Sequence, residues 1–490
     1  MVGKWHQGFY NSSYTPLSRG FDSFLGYYLG AEDYWDHSSN EWLDGSTYEQ
    51  SSLENYGKDF YDGDINVGVD VDEMYSTYLF NDRAIDIIEQ HSNEIDQQNR
   101  RRRSSWLSML DEQEEEEEDQ DNPLFMYLSF QATHCPLDDP KNGYTDMYVE
   151  NGWSDDQRVK FGALTTAMDD VVGNVTDKLK EEGMWENTIV VFSADNGGNT
   201  DCSAFNFPYR GAKETVWEGG TRVNGFIASG IPSFHDQVAS IKDSNPDQFD
   251  DENGVFKTNL MHMVDWYATL IEMIGFYSDE DLEYLIPSDL DSIFGMFDVI
   301  LSEDLDQPSP RNEMVYNIDS SYLHPEMPET GPDKGDPPCY GIRRDNIKLV
   351  VNGSCSLTFH PNNLPPPINE DFWILPPEAS ENDQVSWIAS DSTNFGEILL
   401  FNLSSDPYET IDIGRSNPDL LKEMLDWLEE LKLEEVPAKY YSTPPDDNAN
   451  PAYYGDLWVS WGDYEDVEGD VKVNPISPPF SQQEDIVSID

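Results

Sequence analysis

Apolar residues along the chain gather into short unalternated runs separated by longer amphipathic stretches. Residues 124–130 (Leu124-Phe125-Met126-Tyr127-Leu128-Ser129-Phe130) and 188–194 (Thr188-Ile189-Val190-Val191-Phe192-Ser193-Ala194) lack alternation. That pattern predicts strands buried on both faces of a parallel sheet. Between them, 159–182 carries Phe161, Leu164, Met168, Val171, Val172, Val175 and Leu179 at helical spacing. Strand, long helix, strand predicts a βαβ unit with a right-handed crossover. Residues 224–230 predict a further strand, and 74–91 and 261–274 predict helices. After about residue 330 the runs shorten. Residues 340–343, 347–351 and 398–403 predict antiparallel strands, and 418–431 predicts a helix with Leu420, Leu421, Met424, Trp427, Leu428 and Leu431 on one face. The reading is an α/β domain over 1–330 with a mainly parallel central sheet, then a smaller α+β subdomain with an antiparallel sheet over 331–462. Residues 463–490 read as an acidic tail, and 93–122 as a disordered insert, with arginines at 100 to 103 and glutamates at 114 to 118.

Charge sharpens this picture. The 490 residues hold 28 basic and 97 acidic side chains, a formal net charge of −69. Nucleic acid is therefore not expected as a partner, because phosphate neutralisation needs Lys and Arg. A cationic pocket would have to be built locally. No apolar run approaches the ~20 residues of a spanning helix. The cysteines are Cys135, Cys202, Cys339 and Cys355, without a C-x-x-C pair, so a zinc-thiolate site is not expected. Asn-x-Ser/Thr sequons begin at Asn11, Asn174, Asn352 and Asn402. The first residues, Met1-Val2-Gly3-Lys4-Trp5-His6, are already domain-like and carry no signal-peptide pattern, so the reading expects an N-terminally incomplete chain.

The run at 188–194 ends in Asp195-Asn196-Gly197-Gly198. In open α/β sheets ligands sit beyond the carboxyl ends of the strands. A carboxylate beside a side-chain carbonyl suits a hard cation, Ca²⁺ or Mg²⁺. A plain Asn-Gly turn explains the same residues, and the stretch alone leaves both open. Lys4 and His6 lie in a Gly-rich opening, His134 follows a buried strand, and Lys213 lies in a Gly-flanked loop. With a divalent cation, these four would form a pocket for a tetrahedral oxyanion.

Several motifs then resemble one family in order: Gly3-Lys4-Trp5-His6-Gln7-Gly8; Arg19-Gly20-Phe21-Asp22; Gly30-Ala31-Glu32-Asp33-Tyr34; Ser193-Ala194-Asp195-Asn196-Gly197-Gly198; and Arg210-Gly211-Ala212-Lys213 with Trp217-Glu218-Gly219-Gly220. Asn317-Ile318-Asp319, Ile342-Arg343 with Lys348-Leu349, and Asp406-Pro407-Tyr408-Glu409 continue the series. The chain resembles the type I, formylglycine-dependent sulfatases, most closely the arylsulfatase B-like group. The resemblance implies an alkaline-phosphatase-like three-layer sandwich and hydrolysis of sulfate monoesters, of a sugar by kinship. It implies one Ca²⁺ with Asp195 and Asn196 among its ligands, and a formylglycine whose hydrate attacks sulfur. Lys4 would hold the formylglycine region and His6 assist it. His134 and Lys213 would bind the sulfate, one of them assisting the leaving oxygen. A soluble protein of the secretory route, extracellular or lysosome-like, is implied too.

The family's C-x-P-x-R nucleophile segment and paired-aspartate calcium motif are not in this sequence. Cys339-Tyr340-Gly341-Ile342-Arg343 has the Cys-to-Arg spacing without the proline. A disulfide between Cys339 and Cys355 is expected instead, and Cys135 is expected as a packed thiol, with a redox role as the alternative. The chain as written is therefore expected to be inactive. The alternatives are a non-catalytic homologue that binds sulfated glycans, or a related phosphohydrolase, for which eight scattered histidines fit poorly.

Overall fold

The computed structural model describes residues 1–40, 56–108, 123–249, 254–275, 293–318, 339–352, 398–435 and 447–463. The chain divides into two compact units, one of Met1–Met184 with Thr443–Asp490, the other of Trp185–Glu329 with Asp333–Ser442. The sequence reading put a boundary near 330. The division falls after Met184, because the region from Trp185 onward shares its buried core with the antiparallel sheet, as described below.

The first unit is built on a five-stranded mixed sheet. Its strands are β1 (Val2–Gly3), β2 (Leu25–Gly26), β5 (Tyr61–Asp62), β6 (Ile65–Asn66) and β7 (Leu128–Ser129), while β3 (Ser38–Asn40) and β4 (Tyr56–Lys58) form a separate pair. The order is β6-β5-β2-β1-β7, with β1 parallel to both its neighbours and β5 and β6 antiparallel. The neighbours of β1 lie so close that only glycine fits. A Cβ at Gly3 would lie 1.8 Å from the Ser129 carbonyl oxygen, and one at Gly26 2.0 Å from that of Gly3. Val2, Leu25, Tyr27, Phe60, Val67 and Phe80 fill the core behind the sheet.

Helix α1 (Ser76–Ser108) runs well past the 74–91 expected, so the first half of the charged insert is helical. The remainder of the insert lies outside the described residues. Helix α2 (Tyr144–Glu150) precedes α3 (Asp156–Glu181), which the Asp155 carboxylate caps by accepting from Arg158 N at 2.8 Å. Val159, Ala163, Leu164, Ala167 and Val171 form its buried stripe. Residues 447–463 belong to this unit rather than to the C-terminal subdomain. Trp458 is buried, receives Tyr61 on its carbonyl, and donates its indole N–H to the Ser39 carbonyl at 3.0 Å.

In the second unit β8 (Ile189–Ser193) corrects one expectation. Its partner among the described residues is β9 (Gly225–Ser229), and the pairing is antiparallel. It is half-buried rather than buried on both faces, with Ile189 37% exposed. An unalternated apolar run fixes strand character but not the direction of the partner. Since β7 pairs with β1 and β8 with β9, the strand–helix–strand segment closes no βαβ unit among the described pairings.

Strands β10 (Glu313–Ile318), β11 (Tyr340–Arg344), β12 (Ile347–Val351) and β13 (Ile398–Asn402) form the expected antiparallel sheet in sequence order. Ile342, Leu349 and Leu400 face Met424, Trp427 and Leu428 of the helix Pro418–Lys432. Val350 and Phe401 face Val216 and Trp217 on the other side. Lys348 shares that second face and is fully buried, with Nζ 2.9 Å from Glu218 Oε1 and 2.8 Å from Glu409 Oε1. Burial alone would lower the Lys348 ammonium, but Glu409, Tyr316 and Glu218 outweigh it and hold it above the ordinary lysine value.

Cys135, Cys202 and Cys339 are each disulfide-bonded, so Cys135 is not the packed thiol expected. Cys355 and Asp319 lie outside the described residues, as does the tail beyond Asp463.

Two predictions follow from these buried charges. Removing the cation strands two buried carboxylates, so Lys348→Met should cost about 3–5 kcal/mol in urea unfolding; an unchanged midpoint would contradict the arrangement. The second concerns His37 and Glu32, both fully buried, with Nδ1 3.5 Å from Glu32 Oε1. The His37 Nε2–H donates to the Met74 and Val71 carbonyls at 2.9 and 3.2 Å, leaving Nδ1 to accept from a protonated Glu32. Burial holds the Glu32 carboxyl well above the usual 4.5 and drops His37 from 6.5 to about 4. As pH falls, the raised carboxyl adds stability and the lowered histidine removes it, so the two effects oppose each other. Glu32→Gln should unmask the histidine, with stability present above pH 6.5 and lost as pH falls towards 4. Urea midpoints across that window, with and without the substitution, check it; coincident curves would refute it.

Candidate functional site

The expected site residues fall into two groups, one in each unit. In the first unit, Lys4 directly follows β1 and its N–H donates to the Ser129 carbonyl at 2.9 Å, carrying the ladder one residue past the strand. Because β1 and β7 are parallel neighbours, Lys4 and the segment leading to His134 leave the same edge of the sheet. His6 sits at φ 49°, in the left-handed region that non-glycine residues seldom occupy. Its N–H donates to the Tyr28 carbonyl at 3.0 Å. Its ring lies on Gly30, where a Cβ would come within 2.9 Å of Cε1 and Nε2. The glycine of the Gly30-Ala31-Glu32-Asp33-Tyr34 segment therefore makes room for the His6 imidazole.

His134 ends a tight turn, with its N–H on the Gln131 carbonyl at 2.8 Å. Its Nδ1 lies 2.7 Å from the Cys135 carbonyl oxygen, which can only accept. Nδ1 therefore carries a hydrogen. Gln131 is buried, accepting from Ser76 Oγ at 2.6 Å and donating to the Glu32 carbonyl at 2.5 Å. Further along the loop, burial first and the neighbouring Asp33 second hold the Asp138 carboxyl above the usual carboxylate value.

In the second unit, Asp195 and Asn196 follow β8 directly. Asp195 Oδ1 accepts from Asn196 N at 2.8 Å. Asn196 Nδ2 donates to the Gly197 carbonyl at 2.8 Å, which orients the amide and makes Oδ1 its acceptor. The two glycines are required by contact: a Cβ at Gly197 would lie 1.8 Å from the Gly219 carbonyl oxygen, and one at Gly198 2.6 Å from the Ala204 Cβ. Gly197 N donates to the Gly220 carbonyl at 2.9 Å, and Lys213 N to the Gly198 carbonyl at 3.1 Å. The turn thus brings Lys213 to Asp195 and Asn196.

Asn206, which sequence reasoning missed, is the clamp between them. Its Oδ1 accepts from Gly198 N at 2.7 Å, and its Nδ2 donates to the carbonyls of Gly198 and Gly211 at 2.9 and 3.2 Å. No periodicity marks a side chain that bonds to backbone several residues away on both sides. Arg210 stacks on Trp217 at 3.7 Å, and Glu218 N donates to Glu409 Oε2 at 2.7 Å, so the motif ends against the buried Lys348 cluster.

Asp195 and Asn196 present hard oxygen atoms, suited to calcium, as two of the six to eight ligands calcium takes. Among the described residues no group of three or more His, Cys, Asp or Glu side chains converges as a metal site. Formylglycine finds no place on the described cysteines. Cys135, Cys202 and Cys339 are all in disulfides, and none lies in C-x-P-x-R.

The Sulfatase family model matches residues 1–232. The chain is 30% identical over 468 residues to Arylsulfatase J of Mus musculus, covering 94% of this chain and 64% of that protein. It is 26% identical over 255 residues to the N-acetylgalactosamine-6-sulfatase of Mus musculus, covering 50% of this chain and 40% of that protein. The chain thus spans less than two thirds of the length of these relatives. The crystal structure of Ps i-CgsB in complex with k-i-k-neocarrahexaose superposes with a TM-score of 0.53 at 17% identity, over 91% of this chain and 72% of that one. That likeness shows an alkaline-phosphatase-like α/β fold, in which a mixed sheet with parallel strands is accompanied by a separate antiparallel four-stranded sheet. With the family match over residues 1–232 and the Arylsulfatase J similarity along nearly its whole length, the chain is similar to the sulfatases.

Proposed function

We propose that this chain carries the substrate-binding part of a sulfuric ester hydrolase acting on sulfate monoesters of a sugar. The observation that supports this most is His134. It leaves the same sheet edge as Lys4, with its Nδ1 hydrogen committed to the Cys135 carbonyl. A cationic or proton-donating Nε2 binds a sulfate oxygen and can protonate a departing alkoxide. Lys4 and His6 serve the nucleophile region. The printed names of the relatives, an arylsulfatase and an N-acetylgalactosamine-6-sulfatase, support a sulfated sugar as substrate.

Asp195 and Asn196 would hold a calcium ion through their side-chain oxygens. The cysteines present do not suit formylglycine, so no step is drawn through that group. The disulfides and the sequons at Asn11, Asn174, Asn352 and Asn402 support a glycoprotein of an oxidising, secretory compartment. No helix among the described residues is long and apolar enough to cross a membrane.

Two experiments test this reading. Titrated with 4-nitrophenyl sulfate, the chain should bind the ester saturably without releasing nitrophenol, and lose binding in His134→Ala. Calcium-dependent turnover by the chain would contradict the reading that its cysteines supply no nucleophile, and binding indifferent to His134→Ala would contradict the site. Calcium affinity, followed by terbium luminescence, should fall about 10–100-fold in Asn206→Ala, because the clamp orients the ligand-bearing turn. Unchanged affinity would remove Asn206 from the metal site.

A further inference from the structure

Three aromatic side chains converge on the loop that carries His134, and each donates to a different backbone carbonyl of it. The Tyr34 hydroxyl donates to the His134 carbonyl at 2.9 Å. The Tyr75 hydroxyl donates to the Asp138 carbonyl at 3.2 Å, and the Trp35 indole N–H to the Asp139 carbonyl at 3.1 Å. The donors are themselves one stack, with Tyr34 and Tyr75 ring centroids 5.2 Å apart and Trp35 and Tyr75 5.0 Å apart. Tyr34 and Tyr75 are almost wholly buried. The Lys141 ammonium closes over the Trp35 ring at 3.8 Å.

Loops ordinarily satisfy their carbonyls with water and move accordingly. Here three carbonyls over six residues rest on rigid aromatic donors that have little rotamer freedom to lose. The near end of the loop is pinned as well, through Gln131, Ser76 and the Glu32 carbonyl. Holding the peptide at His134 and the chain beyond it also fixes the short Nδ1–H···O bond to Cys135, since that bond requires ring and carbonyl to keep one orientation.

We infer that Tyr34, Tyr75 and Trp35 are positioning residues that hold the His134–Asp139 loop by its carbonyls, keeping His134 in the Nδ1–H tautomer and its Nε2 set for a sulfate oxygen. This rests on the sulfate reading of His134 given above. It also gives Tyr34, within a motif recognised only by resemblance, a physical task.

The test compares Tyr34→Phe, Tyr75→Phe and their double variant with Tyr61→Phe in the full chain. Tyr61 also donates a buried hydroxyl to a carbonyl, that of Trp458, so its removal is a matched loss away from the loop. The His134 tautomer is read from ¹⁵N-histidine NMR, with the resonance assigned by His134→Gln, and 4-nitrophenyl sulfate binding is read on the same samples. The wild type should show Nδ1–H at His134. The double variant should show mixed tautomers, and its half-saturating ester concentration should rise about fivefold. Tyr61→Phe should match the wild type in both. An unchanged tautomer in the double variant, or an equal change in Tyr61→Phe, overturns the inference. If the wild type ignores the ester while the tautomer still responds to Tyr34→Phe, the sulfate reading fails and the clamp stands as geometry alone.

Discussion

A lysine ammonium buried between two carboxylates is tolerable only if all three groups are held in contact, and the second unit is organised around that requirement. Lys348 reaches Glu218 on one side and Glu409 on the other. Glu218 opens the short helix Glu218–Thr221, and two residues later Gly220 receives the N–H of Gly197. Gly197 belongs to the turn that presents Asp195 and Asn196. A continuous set of contacts therefore runs from the centre of the antiparallel sheet to the residues with metal-ligand chemistry. Each link admits little substitution, because the glycines are packed against backbone atoms and the charges have no solvent to relax into.

The first unit meets a different constraint. There the fixed points are the glycines of β1 and β2, which let three backbones approach so closely that no side chain fits. Lys4, His6 and the loop to His134 leave that sheet within a few residues. Their backbone positions are set by strand geometry and by Tyr28 and Ser129 carbonyls, before any side chain is chosen. Aromatic mass behind them, Tyr34 and Tyr75 above all, replaces the water that would otherwise satisfy the loop.

Much of this was legible in the chain. The amphipathic period of 159–182 became α3 within three residues at its start, and the short apolar runs at 340–343, 347–351 and 398–403 became β11, β12 and β13. Local periodicity records which face of an element is buried. It does not record partners. For that reason β8 was expected in a parallel sheet and is antiparallel to β9, and residues 447–463 were expected beside the antiparallel sheet but belong to the first unit. The same limit hid Asn206, whose three bonds are all to backbone, and the oxidation of Cys135. Charge runs mislead in another way: the arginines at 100 to 103 read as solvated and disordered, yet α1 continues through them to Ser108. The chemistry of the site was legible as residue types, hard oxygens and cations, while the contacts that hold those residues still had to come from the structure.

The most direct test of the metal-binding proposal is anomalous diffraction from crystals of this chain soaked in calcium, or in terbium as its substitute. The calcium reading predicts a peak about 2.3–2.6 Å from carboxylate oxygen of Asp195 and from Oδ1 of Asn196, lost in Asp195→Ala. Well-occupied peaks elsewhere on the protein, with none at these two residues, would contradict it and return Asp195-Asn196-Gly197-Gly198 to a plain turn.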